Sequence, residues 1–366
     1  MKTAVHRAVD GEANLVNGFP RGPNRGAPER RGRGDDGGYS HGVGQSATVV
    51  VEAFNLVEGQ GFHSLHEALR AAADAVRDSQ TGAQRHALFL MDPSADERIP
   101  PLVDSLGVRV RHVVLPPGTG YDTCKDMAAA MADTEVVAYL DGDCVPRAGG
   151  AAWLARMVEQ LGTSGAPGVG GITVYQGRSP LSLACSVLDF GFLASAAEPA
   201  AGGRLGCYAS NNIAFRRDAR VAKPMETESM RCTCYAHAQQ FVREGTPLRL
   251  ADHPETILEH ELPSLRKERT RRGLDAVLAV DLDPAAFEAR WLGTDRGRVR
   301  DVALFFLVMF RIDQRRTRRI TDWAGAGRWG RAATRVVLPF LRLMELPGLV
   351  RALRSRRFVA AEAATK

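Results

Sequence analysis

The chain has little cysteine and no pattern in it. Its six cysteines form no CxxC pair and no regular framework; Cys232-Thr233-Cys234 is the one close pair, and C-x-C spacing says little about a metal. Reduced thiols in a cytosolic protein are the expectation. The N-terminus has no apolar h-region, so a secretory signal is not expected. No run of about 18 uninterrupted apolar residues exists, which leaves no membrane span to predict. The net charge is +6. The excess lies near the C-terminus and no nucleic-acid motif accompanies it, so nucleic acid is not an expected partner. A glycine-rich phosphate loop after the first strand is also missing, which argues against a nucleotidyltransferase.

What is present is ordinary globular material, 45% hydrophobic and 25% charged over 366 residues. That length accommodates one large α/β domain with an appendage. Residues 1–45 are rich in Gly, Arg, Pro and Asn without apolar periodicity, and read as disordered. Order begins at Thr48-Val49-Val50-Val51-Glu52, a buried strand. Ser64-Leu65-His66-Glu67 has the pattern of a capping box opening a helix, with the stripe Leu65, Ala68, Leu69, Ala72 and Val76. Strands follow at 87–91 and 108–115, a short helix at 122–132, and a strand at 135–140. Strand and helix in alternation predict a mostly parallel sheet covered by helices. Beyond Pro146 the pattern predicts a helix near 149–161 and a strand over 169–175. An apolar helical stretch over 181–197 is interrupted by Asp189 and Gly191. A helix over 232–244 and a strand from Leu248 towards Glu259-His260 follow.

Asp141-Gly142-Asp143 closes the run Glu135-Val136-Val137-Ala138-Tyr139-Leu140. Two carboxylates one residue apart at a strand's carboxyl end sit where open α/β sheets hold ligands. Side by side and desolvated, they need a cation or water. A divalent metal on hard oxygen ligands, gripping phosphate oxygens in turn, answers that need. An Asp-Gly-Asp turn is the plainer alternative.

VVVEAFN with SLHEAL, LFLMDPS, YDTCKDMAAAMADTEVVAYLDGDCVP, Gly170-Gly171-Ile172, Ser210 to Arg217 and Leu248 to His260 form an ordered series, and that series resembles a family 2 glycosyltransferase. VVVEAFN followed by SLHEAL is similar to that family's first strand, Asn and helix, with Glu52-Ala53-Phe54 in place of Pro-Thr-Tyr. LFLMDPS resembles the second strand and its nucleoside-binding Asp, here Asp92. YDTCKDMAAAMADTEVVAYLDGDCVP resembles the segment carrying a basic residue, here Lys125, and the DxD; Asp126 replaces an Asn. Gly170-Gly171-Ile172 and Ser210 to Arg217 resemble the next strand's start and the acceptor-side loop. Leu248 to His260 resembles the last strand and its metal-site His. The resemblance covers about 46–275. It implies an α/β GT-A nucleotide-diphospho-sugar transferase fold, a mostly parallel central sheet with flanking helices, plus a C-terminal helical region over 276–366.

It implies, further, Mn²⁺ or Mg²⁺ on Asp143, Asp141 and His260, with Asp143 the direct ligand and Asp141 holding ribose or an outer water. Glu52, Asn55, Asp92, Lys125 and Asp141 would bind a nucleotide-diphosphate sugar. The acidic pair that serves inverting members as general base falls at Thr233-Cys234 here. Glu228 is then the substitute, beside Glu226 and Asp189. The QxxRW pattern of processive members is absent, since Glu244 follows Gln239-Gln240-Phe241-Val242-Arg243, so transfer of one sugar is expected. A non-catalytic protein binding nucleotide sugar or a partner is the alternative that the missing pair favours.

From Arg290 to Arg357, arginines alternate with the apolar blocks 302–310 and 336–349, with Trp323 and Trp329 between. Such a region suits peripheral contact with an anionic membrane on its cytoplasmic face, and a lipid-linked acceptor. It equally suits a helical cap on the sheet.

Overall fold

The computed structural model describes residues 45–57, 61–77, 86–116, 118–225, 233–282 and 299–352. The disorder expected before residue 45 and the candidate bases Glu226 and Glu228 lie outside them. In chain order the elements are β1 (Ala47–Glu52), the single turn α1 (Phe54–Val57), α2 (Phe62–Arg77), β2 (Ala87–Asp92), α3 (Ile99–Ser105), β3 (Val110–Val114), α4 (Tyr121–Met131), β4 (Val136–Asp141) and β5 (Cys144–Pro146). Then come α5 (Gly150–Ser164), β6 (Gly168–Gly170), β7 (Ile172–Tyr175), α6 (Pro180–Ala196), β8 (Arg204–Leu205), β9 (Asn212–Arg216), α7 (Arg217–Ala222) and α8 (Thr233–Arg243). The chain continues through β10 (Leu248–Leu250), β11 (Ile257–His260), α9 (Leu265–Leu282), α10 (Val299–Trp323) and α11 (Arg328–Leu343).

The main sheet has the order β3-β2-β1-β4-β9-β6-β10-β8. β3, β2, β1 and β4 are parallel, and β9 runs antiparallel between β4 and β6. Side chains alternate across a pleated strand. Val49, Val51, Leu88 and Leu90 therefore meet α2 and α5 through Leu65, Leu69, Trp153 and Leu161. Val50, Phe89, Met91 and Tyr139 meet Cys124 and Ala128 of α4 and Leu193 of α6 on the other face. Both faces are covered, so these strands read as unbroken apolar runs.

A second sheet, β5-β11-β7, stands at the carboxyl edge of the first. The single strand expected over 169–175 is two, one in each sheet. Gly171 is the switch: its N–H donates to the Asn212 carbonyl at 2.8 Å, and a Cβ there would lie 2.4 Å from Asn212 Oδ1. Asn212 fixes the junction, donating from Nδ2 to the Ile172 and Thr256 carbonyls and accepting from Trp153 Nε1. Likewise the strand leading from Leu248 to His260 is divided between β10 and β11.

One other local expectation is corrected. Ser64 lies inside α2, which begins at Phe62, and its hydroxyl donates to Glu261 instead of capping. The helical stretch expected over 181–197 is α6, capped by Ser179 Oγ on the Ser182 N–H at 3.1 Å. Asp189 does not interrupt it because Arg269 and the Tyr175 hydroxyl hold its carboxylate. Gly191 makes room for Arg316 of α10, whose Cδ would stand 2.9 Å from a Cβ there.

The C-terminal helices cap α6. Arg342 forks onto Asp313 at 2.8 and 3.0 Å and reaches Glu345 at 2.7 Å, and Arg269 joins Glu345 to Asp189. A boundary at 275 falls within α9.

Candidate active site

Parallel pairing brings the carboxylates together. Glu52 is in register with Asp141 across β1 and β4 and with Met91 across β1 and β2, so Glu52, Asp92 and Asp141 end on one sheet edge. Gly142 follows, its N–H on the Glu52 carbonyl at 3.0 Å. A Cβ on Gly142 would meet that carbonyl oxygen at 2.6 Å and Asn55 Oδ1 at 2.8 Å. The glycine thus lets the Asp-Gly-Asp turn lie against β1.

His260 arrives through the small sheet, where β5 and β11 are antiparallel and His260 pairs with Cys144. The Glu261 N–H then donates to the Asp143 carbonyl at 2.9 Å. His260 Nδ1 is 2.6 Å from the Glu261 carbonyl, and Nε2 is 3.5 Å from Asp143 Oδ2. A carbonyl can only accept, so Nδ1 carries the proton in the neutral ring and Nε2 presents its lone pair to Asp143. Ligating histidines are oriented in this way. Asp143, Cys144 and His260 offer ligand atoms within 4.8 Å of one another. Burial pushes the Cys144 thiol well up, and it keeps its proton, donating weakly to Asp143 Oδ1 at 3.5 Å. The oxygen and nitrogen pair is therefore the part that fits Mn²⁺ or Mg²⁺.

The surrounding charge fits as well. Burial and then Asp141 push the Glu52 carboxyl well up, opposed by Lys125. Burial likewise raises Asp143, and Asp141 adds to it. Three buried carboxylates thus face one lysine, and a divalent cation would complete the balance.

Lys125 is buried, not at the surface. Its Nζ donates to Asp141 Oδ1 at 2.6 Å, the Tyr121 hydroxyl at 2.5 Å and the Ser210 carbonyl at 2.6 Å. The Tyr121 hydroxyl donates to Asp141 Oδ2 at 2.7 Å. Both oxygens of Asp141 are thus engaged, while Asp143 is left facing His260. Tyr121 and Ser210 carry this network; both fall in stretches that resemble the family, but neither was assigned a role from sequence, although the i,i+4 spacing of Tyr121 and Lys125 is a signal for the first.

Other residues divide clearly. Asn55 donates to the Gly142 carbonyl at 3.4 Å, and its Oδ1 is buried without a protein partner. Asp92 holds its own loop, accepting from the Ser94 N–H, the Ser94 hydroxyl and the Ala95 N–H, and its Oδ2 is 3.1 Å from His112 Nε2. Asp126 anchors Arg220 and the Met225 N–H. Asp189, locked between Arg269 and Tyr175, is an internal brace and no base. Thr233, at the head of α8, donates to Asp122 Oδ2 at 2.9 Å, and burial raises that carboxyl. A carboxylate therefore does stand where the acidic pair was expected, brought from α4.

Compared with known proteins, the chain is similar in structure to a mannosyltransferase from Pyrobaculum calidifontis in complex with GDP-Man and Mn²⁺. The identity is 15%, the TM-score 0.53, and the match covers 84% of this chain and 87% of that one. It also matches glucosyl-3-phosphoglycerate synthase from Mycobacterium tuberculosis, in complex with Mn²⁺ and UDP-Glc, at 14% identity and TM-score 0.45, over 65% of this chain and 79% of that one. No protein-family model and no curated protein matches the sequence. The likeness to the mannosyltransferase establishes the fold: the chain has the GT-A fold.

Proposed function

We propose that the protein is a metal-dependent glycosyltransferase, moving one sugar from a nucleotide-diphosphate sugar to an acceptor hydroxyl. The observation that carries this reading is the pairing of His260 Nε2 with Asp143 Oδ2 at the sheet edge, with Nδ1 tied to the Glu261 carbonyl. Asp143 and His260 would hold Mn²⁺ or Mg²⁺; the similar mannosyltransferase is itself in complex with Mn²⁺. Bound there, the cation would supply Lewis-acid charge to the diphosphate leaving group.

The chain's own residues do the rest. Lys125 and Tyr121 fix Asp141 beside Asp143, where it orients the ribose or a water. Lys125 acts on the donor through Asp141, because all three of its protons already have acceptors. Asn55 Oδ1 and Glu52 face the nucleoside, with Asp92 and His112 one strand further out. Deprotonation of the acceptor, and with it inversion, is assigned to a carboxylate at the head of α8. Glu228 precedes that helix in sequence, and Asp122 is tethered to it by Thr233. The acceptor is a lipid-linked hydroxyl at an anionic membrane surface. No helix among the described residues is long and apolar enough to cross a membrane.

The test is incubation with Mn²⁺ and a panel of nucleotide sugars, reading binding and slow donor hydrolysis. Metal-dependent binding with hydrolysis of one donor is expected. Binding without hydrolysis or transfer would favour a non-catalytic nucleotide-sugar protein, the reading that the absent acidic pair at Thr233-Cys234 supports. No metal-dependent binding to any donor would end both.

A further inference from the structure

α11 is apolar on two opposite sides. Thr334, Leu338 and Leu341 are buried towards the body of the protein. Trp329, Val336, Phe340 and Leu343, spaced seven, four and three residues apart, fall on one stripe at a helical period. That stripe is exposed: Trp329 by 76%, Val336 and Phe340 by 64% each, and Leu343 by 55%. It lies diametrically opposite the buried stripe, where a helix that merely caps a domain carries polar residues. Four large apolar side chains in one exposed row mark an interaction surface.

The charge beside the stripe selects the partner. α11 contains no Asp or Glu. Arg328 and Arg335 are exposed along one flank of the apolar row. Gln314 of α10 donates to the Arg335 carbonyl at 3.3 Å, which sets α10 alongside that flank. α10 adds exposed Arg311 and Arg318, in line with Leu307, itself 49% exposed. Asp322, acidic and near the end of α10, is paired with Arg331. The Arg328 guanidinium stands over the Trp329 ring at 5.4 Å. Trp and Arg combine apolar bodies with polar or charged ends, as an interface between hydrocarbon and headgroups requires. A helix of 16 residues, about 24 Å long, cannot span a bilayer but can lie in its surface.

We propose that this face of α11, flanked by the arginines of α10 and α11, docks in the plane of an anionic lipid bilayer. The proposal deepens the membrane-surface part of the reading above and locates it. Docking itself needs neither metal nor donor.

The test is flotation of the full chain with vesicles of phosphatidylcholine alone and of phosphatidylcholine with phosphatidylglycerol. The protein should float with the anionic vesicles and not with the neutral ones. Trp329→Ser with Phe340→Ser should weaken binding by about tenfold or more, since apolar insertion is lost. Both side chains are exposed, so folding should be untouched, and circular dichroism checks this. Arg328→Gln with Arg335→Gln should weaken binding by about fivefold per arginine and flatten its salt dependence. Mn²⁺-dependent nucleotide binding, measured on the same variants, should not change. Conversely, Asp143→Ala should still float, so that failure of docking and failure of the donor site are told apart. Wild type absent from both vesicle types would overturn the proposal. So would flotation unchanged in the Trp329 and Phe340 variant. A dimer that this variant dissociates, without any vesicle binding, would also overturn it and show that a second copy covers the face.

Discussion

Lys125 Nζ lies 2.6 Å from Asp141 Oδ1, with both groups buried at the carboxyl edge of the sheet. The pair sets the charge of the site and depends on both partners. Removing one member of a buried pair strands the other without solvent, at a cost of about 3–5 kcal/mol. Lys125→Met should therefore lower stability sharply, and Lys125→Met with Asp141→Asn should recover much of it. Denaturant unfolding of the two single variants and the double variant measures the coupling. Additive losses would show that the two residues do not act as a pair.

Asp143→Ala should abolish metal-dependent nucleotide binding, because the site loses its one carboxylate free to face His260. His260→Ala and Asp141→Ala should weaken it by about 10- to 100-fold. Titration with Mn²⁺ and nucleotide diphosphate decides. Unchanged affinity in Asp143→Ala would remove the metal assignment.

For the acceptor base, Asp122→Asn and Glu228→Gln are the informative pair. The residue that takes the acceptor proton should lose about 10²-fold or more in turnover with donor affinity kept. Full turnover in both variants would remove Asp122 and Glu228 as the acceptor base.

Gly142→Ala should destabilise the fold by about 1–3 kcal/mol and weaken donor binding, since the new methyl must push the Glu52 carbonyl or Asn55 aside. Thermal unfolding and donor titration read the two effects. A silent substitution would mean that the turn is not held against β1.

His237 gives a pH dependence with a definite sign. It is buried between the Tyr208 hydroxyl and the Lys223 carbonyl, and burial lowers its pKa to about 3. The unfolded ring binds its proton near pH 6.5. Between these values the unfolded state holds more protons, so stability falls as pH drops from about 6.5 to about 3 and is fully present above that window. His237→Gln, which cannot titrate, should flatten the slope of unfolding free energy against pH over that range. An unchanged slope would locate the proton uptake elsewhere.

The run Val49-Val50-Val51 and the run ending at Leu140 identified buried parallel strands by themselves, because strands covered on both faces have no polar side to show. Asp141, Asp143, Glu52 and Asp92 could be placed at strand ends from sequence alone, since a strand's end is a local property. Other features depended on long-range packing. Gly171 divides one apolar run between two sheets because Asn212, from a distant strand, occupies the space a side chain would need. His260 reaches Asp143 only because β11 pairs antiparallel with β5. Lys125 could be named from the segment that resembles the family, but its partners Asp141, Tyr121 and Ser210 were fixed only when α4 packed on β4 and buried it. Asp189 looked like a free carboxylate until α9 brought Arg269 to it. Local composition determined the strands and the acidic edge; contacts between residues far apart in the chain decided which charges are paired and which remain to meet a ligand.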